Sequence, residues 1–447
     1  MQTPSSATAD TATTSSRLAA LRGKMRERGI DAVIVRSTDR YLNEYVPEHE
    51  STRGWITGFH GSMGDAVITG DRAVLFVDGR YTLQAAQQAP EFDSKTVAVG
   101  TSIEQGWLKL LEELPAQGVH KIGVETDRFP SSLYETLAHK AKELGLSLVA
   151  TTPSLIEELR TAPASRAAAI WPIESALVGR TVKERLALAE PVFAREKLDG
   201  LLVTALDEIA WITNLRGLHF DYQATFRAQA LVTRDEVLLA ADESALRAGP
   251  TAKASARGLA ESGVRFVGER GLPDAIRAIV AAKGSPARIG YDATMTPEAT
   301  RAALEAAGCV VVKAASPFAQ ARTQKTPQEL AHMVAAFERA DAVVSRVKSW
   351  LCAAVSRGEK VTEAMVADKT AALFKKSGAF GLSFKVISAA GKNGAVIHYG
   401  TPDDSTAISE GQLFLLDTGA YYEGGLATDL TRTFLVGGNH VKASAEQ

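Results

Sequence analysis

The sequence predicts an α/β protein made of two similar α/β domains, followed by a third segment that combines helices with a short antiparallel sheet. The first observation is an internal repeat at an offset of 168 positions: residues 17–19 (RLA) recur as 185–187, and residues 30–35 (IDAVIV) recur as 198–203 (LDGLLV). The second is a strong helix start in the third segment, and the third is a β-rich stretch near its end. A helix followed by a strand in both copies indicates two related α/β domains.

The first domain is predicted to span residues 17–160. Residues 1–16 before it are rich in Ser, Thr and Ala and lack the basic start and apolar centre of a secretory signal, so we expect a disordered tail. The domain opens with a helix whose Leu18, Leu21 and Met25 share one face, and Gly29 is a plausible helix stop. A strand should follow at residues 30–35.

The second domain is predicted to span residues 161–324, and its acidic residues have structural explanations. Asp207 and Glu208 precede an apolar helical segment, where acidic first-turn residues suit the helix dipole. Further on, His219 and Asp221 lie in a loop with several aromatic residues. In the first domain, Asp78 is likewise expected to be a turn carboxylate paired with Arg80.

The third domain is predicted to span residues 325–447 and to begin with a long helix. Thr326 has the form of an N-cap, with Pro327 at the first helical position and Glu329 completing a capping box. We expect this helix to reach about residue 355. A second helix should cover about 362–376.

The last part of the chain contains two aspartates in a predicted hairpin. Residues 413–416 form an apolar run that ends in Asp417, Gly424-Gly425 signals a turn, and residues 428–436 alternate like a return strand. Such a hairpin brings Asp417 and Asp429 together. Two neighbouring carboxylates repel each other unless positive charge lies between them, as divalent metal ions provide. The alternative is that both merely cap the ends of the hairpin.

Three motifs in this stretch resemble the aminopeptidase P and creatinase family of metallopeptidases, which have the pita-bread catalytic fold. They are LFLLDTGA at 413–420, TDLTRT at 428–433 and GAVIHY at 394–399. The resemblance implies two creatinase-N-terminal-like α/β domains followed by a pita-bread α+β catalytic segment. It also implies that Asp417 and Asp429 bind metal and that His398 is a catalytic residue that binds substrate. In the family the loop that corresponds to the one with His219 and Asp221 approaches the catalytic cleft, so a substrate contact is an alternative to a structural role there.

The same resemblance implies the reaction and the partners. We expect a metal-dependent Xaa-Pro aminopeptidase that removes the N-terminal residue from peptides with proline second. Two divalent ions are implied, with Mn²⁺ first and Zn²⁺ or Co²⁺ as alternatives. A homodimer is also implied.

The family's two-metal site uses five side chains, and three of them have no counterpart in this sequence. After Asp429 the only candidate ligands are His440 and Glu446, and neither lies in a family-like motif. We therefore expect only the first half of a pita-bread domain and a weakly active or inactive chain. Asp417 and Asp429 are 12 positions apart, one more than the usual family spacing, which a bulge could absorb. The alternative function is a non-catalytic binding or scaffold protein.

Composition limits the other function classes. A net charge of −2 gives no general attraction to nucleic acid or to anionic membrane, and no run of about 18 apolar residues predicts a membrane span. The two cysteines, Cys309 and Cys352, form no cluster with ligand spacing and are expected to be reduced. We therefore expect a cytoplasmic protein without nucleic-acid or membrane partners.

Overall fold

The computed structural model describes residues 13–163, 165, 168–247, 256–438 and 441–444. The chain forms two compact units. The first consists of Met1–Arg166, Val192–Ala205 and Pro273–Ser316, and the second consists of Ala167–Pro191, Leu206–Leu272 and Pro317–Gln447. Most of the predicted N-terminal tail, residues 1–12, lies outside the described residues.

The N-terminal part of the first unit is a six-stranded mixed sheet with helices. The helices are α1 Thr14–Arg28, α2 Thr52–Thr57, α3 Thr82–Gln88, α4 Ile103–Leu110 and α5 Ser131–Glu143. The strands are β1 Ala32–Val35, β2 Asp65–Thr69, β3 Ala73–Val77, β4 Asp93–Thr96, β5 Lys121–Val124 and β6 Ser147–Ala150. The strand order is β4-β3-β2-β1-β5-β6.

Local signals determine both ends of α1, but only the stop at Gly29 was predicted: the helix begins at Thr14, within the stretch 1–16 that was expected to be a disordered tail. The Thr13 side chain accepts a hydrogen bond from the backbone N–H of Ser16, which satisfies one of the free donors at the helix start. Gly29 closes the helix in a left-handed conformation (φ 61°), which glycine adopts without steric cost. The predicted apolar face is buried at Leu18, Leu21 and Met25.

A second set of helices and strands follows in the chain. The helices are α6 Ser175–Val178, α7 Val182–Leu186, α8 Glu190–Glu196, α9 Leu206–Thr213, α10 Ala256–Ser262, α11 Leu272–Lys283, α12 Glu298–Ala306 and α13 Pro317–Ala321. The strands are β7 Ile170–Pro172, β8 Gly200–Val203, β9 Leu215–Gly217, β10 Gln229–Val232, β11 Val237–Ala240, β12 Val264–Phe266, β13 Arg288–Tyr291 and β14 Val310–Lys313.

The strand pairings confirm the internal repeat. In the N-terminal sheet, β1 pairs in parallel with β5 and β5 with β6. The corresponding strands β8, β13 and β14 of the first unit pair in the same parallel sense. Similarly, β2 is antiparallel to β3, which is parallel to β4, and in the second unit β10 is antiparallel to β11, which is parallel to β12.

The C-terminal part of the second unit packs two helices against a small antiparallel sheet. Its helices are α14 Pro327–Ser356 and α15 Glu363–Lys376, and its strands are β15 Gly381–Leu382, β16 Ile387–Ala390, β17 Leu413–Thr418, β18 Ala420–Tyr421 and β19 Leu430–Leu435. One sheet has the order β16-β17-β19, and β15 pairs separately with β18. The predicted capping box is present at Thr326 and Glu329, and α14 ends within one residue of the predicted position.

Buried residues of α14, α15, β17 and β19 form one hydrophobic core. Phe414 and Phe434 face each other across the β17–β19 ladder with ring centroids 5.6 Å apart. The helices contribute mainly aliphatic side chains, namely Val343, Val344, Val347, Leu351 and Val366. This core fills one face of the sheet, so Asp417 of β17 and Thr431 and Thr433 of β19, which alternate with the core residues, lie on the opposite face.

Two further features concern the helices and the cysteines of the described residues. None of the described helices combines the length and hydrophobicity needed to cross a membrane. Both cysteines are free thiols; Cys309 is buried and Cys352 is half-buried.

Candidate metal centre

Asp417 lies on the central strand of the three-stranded sheet, one residue before its end. Exposure alternates along β17: Phe414, Leu416 and Thr418 are buried, whereas Asp417 is half-buried on the opposite face. Side chains of a strand point to alternate faces, so the core fixes the direction of Asp417. Its partner across the ladder is Thr431 of β19.

The environment of Asp417 disfavours its charge. Burial raises the pKa of Asp417 above its ordinary value, and the nearby negative charge of Asp429 acts in the same direction. A hydrogen bond of 2.7 Å from Thr431 Oγ1 to Asp417 Oδ1 opposes this rise, as does the proximity of His398. Asp429 and His398 therefore both lie close enough to Asp417 to influence it electrostatically.

Asp429 is exposed and precedes β19 rather than lying within it. The return strand was predicted to begin at residue 428, and this start is wrong because β19 begins at Leu430. Thr428 is engaged elsewhere: its backbone N–H and its side chain both bond to the backbone of Ala420. Since Asp417 pairs with Thr431, Asp429 is its diagonal neighbour beyond the end of the ladder.

The base of the hairpin is closely packed around Gly419. A Cβ atom at this position would lie 1.8 Å from the carbonyl oxygen of Thr428 and 2.4 Å from Ser383 Oγ. Ser383 Oγ donates a 2.8 Å hydrogen bond to that same carbonyl. Glycine is therefore required between Thr418 and Ala420 for the two arms to approach.

The predicted turn at Gly424-Gly425 is confirmed, and α14 supports it. The N–H of Gly425 donates to the carbonyl of Tyr422 at 2.7 Å. The N–H of Gly424 donates to Nε2 of His332 at 2.8 Å. His332, which is isolated in the sequence, thus packs against the turn that separates the two aspartates.

Two arginines lie against the same turn. Arg339 of α14 donates to both carboxylate oxygens of Glu423, at 2.9 and 3.0 Å. Arg216 of β9 packs closely against Gly425, since a Cβ atom added at Gly425 would lie only 2.2 Å from Arg216 Nε. Burial lowers the pKa of Arg216 to about 10. Neither contact was predictable from local sequence patterns, because both arginines lie far from the turn in the chain.

His398 adopts a left-handed backbone conformation (φ 60°), which is uncommon for a residue other than glycine. It is half-buried, in the long connection between β16 and β17. The buried carboxylate of Glu363, the first residue of α15, binds residues on both sides of this histidine in the chain. Sequence reasoning missed Glu363.

The other candidate residues have structural roles. Asp78 caps a short 3₁₀ helix and pairs with Arg80 at 2.8 Å, as predicted. Asp207 lies in the first turn of α9 and accepts from the N–H of Glu208 at 2.9 Å, which agrees with the predicted role. Asp207 also pairs with Arg322.

His219 is buried, and both of its ring nitrogens are engaged. Nε2 lies 2.7 Å from the carbonyl oxygen of Ala168, and Nδ1 accepts from the N–H of Arg227 at 3.2 Å. Burial lowers its pKa, which favours the neutral ring. Neither nitrogen is left for a ligand, so the predicted substrate contact does not extend to His219.

Asp417 and Asp429 offer the type of ligand that a divalent ion prefers, but they are fewer than a metal site needs. Carboxylate oxygens are the ligands that hard divalent ions prefer, and Asp417 and Asp429 supply them on one open face. Within the part of the chain that the structure describes, no group of three or more His, Cys, Asp or Glu side chains could hold a metal ion. The two remaining candidates from the sequence, His440 and Glu446, lie outside the described residues.

Comparison with protein families covers almost the whole chain. Residues 17–162 and 161–329 match two models described as the creatinase/prolidase N-terminal domain, and residues 331–447 match metallopeptidase family M24. A probable Xaa-Pro aminopeptidase P of Coprinopsis cinerea is 32% identical over 454 residues, covering 96% of this chain and 69% of that protein. The chain belongs to the Xaa-Pro aminopeptidase P family. The predicted family is therefore confirmed.

Other relatives of this aminopeptidase P family member agree. A probable Xaa-Pro aminopeptidase P of Laccaria bicolor is 31% identical, over 96% of this chain and 65% of the relative. The crystal structure of X-prolyl aminopeptidase from Caenorhabditis elegans superposes with a TM-score of 0.83 at 24% identity, covering 95% of this chain and 70% of that one. The fold class is confirmed. The chain spans about two thirds of the length of these relatives.

Proposed function

We propose that Asp417 and Asp429 are metal ligands of an Xaa-Pro aminopeptidase and that His398 contacts its substrate. The carrying observation is that Asp417 lies on the face of the β16-β17-β19 sheet opposite the core, with Asp429 and His398 near enough to affect its charge. Neighbouring carboxylates with no positive charge between them raise each other's pKa, and a bound cation relieves this repulsion. The names of the relatives support the peptidase assignment.

The bound ions would be two divalent metals, with Mn²⁺ first and Zn²⁺ or Co²⁺ as alternatives. The nematode enzyme has a di-nuclear active site, which supports the number. Such ions supply a hydroxide nucleophile near neutral pH by lowering the pKa of bound water. Asp417 and Asp429 would hold the metal through their carboxylate oxygens, while His398 would donate a hydrogen bond to the carbonyl oxygen of the scissile peptide bond.

The proposed substrate is a peptide with proline in second position. An X-Pro amide has no N–H, so a dedicated site must recognise it without that donor. Since fewer than three metal donors cluster among the described residues, we propose that the 447-residue chain alone hydrolyses such peptides weakly or not at all. A homodimer in the cytoplasm is proposed on family grounds; the nematode enzyme is cytosolic.

Metal stoichiometry tests the proposal. The purified chain is incubated with Mn²⁺, freed of unbound ion and assayed by elemental analysis, alongside a D417N/D429N variant and a D404N control at an exposed loop aspartate. The proposal expects Mn²⁺ bound to wild type and to D404N but lost in D417N/D429N. About two ions per chain would justify an X-Pro peptide assay. Equal amounts of bound Mn²⁺ in all three proteins would contradict the assignment. No bound Mn²⁺ in wild type would also contradict it and would favour a non-catalytic scaffold.

A further inference from the structure

We propose that Glu363 is a positioning residue that holds His398 beside Asp417, an inference that rests on the function proposed for His398. Glu363 begins α15, and only 2% of its surface is exposed. An acidic residue in the first turn of a helix is ordinarily solvated and interacts with the helix dipole. The burial of Glu363 therefore calls for another explanation.

The Glu363 carboxylate accepts four hydrogen bonds. Oε1 accepts from the N–H of Ala390 at 2.6 Å and from Nδ2 of Asn393 at 3.0 Å. Oε2 accepts from the hydroxyl of Tyr399 and from the N–H of Asp403, both at 2.8 Å. A carboxylate offers about four lone-pair sites, so these donors fill it.

All four donors belong to the segment that carries His398. Two precede the histidine in the chain and two follow it, so a single buried side chain fixes both flanks of the loop. Asn393 Nδ2 also donates to the hydroxyl oxygen of Tyr399 at 3.1 Å, which joins the two flanks directly. A residue other than glycine keeps a left-handed backbone only where its surroundings impose it. The Glu363 network supplies that constraint for His398.

The arrangement requires an acceptor at both oxygens. In a Glu363→Gln variant an NH₂ group replaces one carboxylate oxygen. This group is itself a donor, so it cannot accept the hydrogen bonds that the oxygen accepted. One flank of the loop loses its anchor while the size of the side chain is kept. An Asp368→Asn variant is the matched control, because it removes a negative charge from the same helix at an exposed position.

The test uses the full chain labelled with [¹³C]histidine and needs neither metal nor turnover. The His398 ring signal is identified among the eight histidines by its loss in H398A. We expect D417N, introduced as the only substitution, to shift this signal, because the His398 ring lies near the Asp417 carboxylate. We expect the D417N-induced shift to fall by at least half in the E363Q background and to stay unchanged in the D368N background.

Hydrogen exchange separates positioning from general stability. We expect exchange in peptides covering residues 388–403 to accelerate about tenfold in E363Q, with α14 and β17 unaffected. If E363Q does not fold, Tyr399→Phe removes one of the four hydrogen bonds and should reduce the D417N-induced shift in the same direction.

Either of two results would overturn the inference: an equal D417N-induced shift with and without Glu363, or no shift in wild type. Failure of Mn²⁺ binding or of X-Pro hydrolysis would instead reject the proposed function. The histidine spectra remain interpretable in that case.

Discussion

Thr431 Oγ1 donates a 2.7 Å hydrogen bond to Asp417 Oδ1 across the β17–β19 ladder, and the two residues are direct partners in register. This bond favours the ionised form of a carboxyl whose burial favours the neutral form. Metal binding requires the ionised form. The hydroxyl of Thr431 is therefore expected to tune metal affinity without touching the metal.

Thr431→Val should raise the pKa of Asp417 further and weaken Mn²⁺ binding by roughly tenfold, the usual range for losing a partner of a metal ligand. Thr433→Val is the control, because Thr433 is also exposed on β19 but pairs with Leu415. The measurement is a Mn²⁺ titration at constant pH. Equal affinities in the two variants would argue against the role of this hydrogen bond.

Asp429→Asn should lower the pKa of Asp417, because it removes a nearby negative charge that raises it. Mn²⁺ affinity should nevertheless fall, on the order of 100-fold, because a proposed ligand is lost. The lower pKa of Asp417 favours Mn²⁺ binding, whereas the loss of Asp429 weakens it. Two measurements separate these effects: the carboxyl ¹³C signal of Asp417 as a function of pH, and the Mn²⁺ titration. An unchanged titration of Asp417 would mean that the two carboxylates are not neighbours in solution.

Gly419→Ala should destabilise the second unit by at least about 2 kcal/mol and abolish Mn²⁺ binding, because the new methyl group overlaps the Thr428 carbonyl. Gly394→Ala is the comparison, since the nearest atom to its Cβ would be 3.8 Å away, an ordinary contact. Urea unfolding of both variants provides the test. A stable G419A variant that binds metal would show that the hairpin base can widen.

Glu125 of the first unit provides a pH prediction independent of the metal site. Burial raises its pKa to about 7, although Arg128 lies nearby with Nε 3.9 Å from Oε2 and opposes the rise. The folded state therefore holds this proton more tightly than the unfolded state, whose carboxyl titrates near pH 4.5. The stability that Glu125 contributes should fall as pH rises from about 4.5 to about 7, by at most about 3 kcal/mol.

Glu125→Gln should remove that dependence. The unfolding free energy of E125Q minus that of wild type should therefore become more positive from about pH 5 to about pH 8. Urea unfolding followed by circular dichroism at both pH values measures it. Glu91→Gln, at an exposed position, controls for loss of one carboxylate. A constant difference across pH would mean that Glu125 ionises normally in the folded protein.

Features governed by short-range signals were predictable from the sequence. The capping box at Thr326 and Glu329 located the start of α14, and Gly29 located the end of α1. The hairpin that carries Asp417 and Asp429 followed from an apolar run, a glycine pair and an alternating strand. In each case the deciding contacts lie within a few residues.

Features that depend on distant partners were not predictable. Glu363 binds residues 27 to 40 positions away, and nothing in its local sequence distinguishes it from a solvated first-turn acid. The start of the return strand was misplaced because Thr428 bonds to Ala420 instead of extending the ladder. A sequence pattern predicts which face of a helix or strand a residue occupies, but it does not identify the distant residues that contact it.

The support of the hairpin turn by α14 bears on the order of folding. His332 and Gly424 are 92 positions apart, and Arg339 and Glu423 are 84 apart, so the contacts that link α14 to this turn are long-range. Contacts of large sequence separation form slowly because loop entropy must be lost first. We therefore expect the contacts between α14 and the turn to form late in folding, so that a fully formed turn between Asp417 and Asp429 would report that α14 has docked.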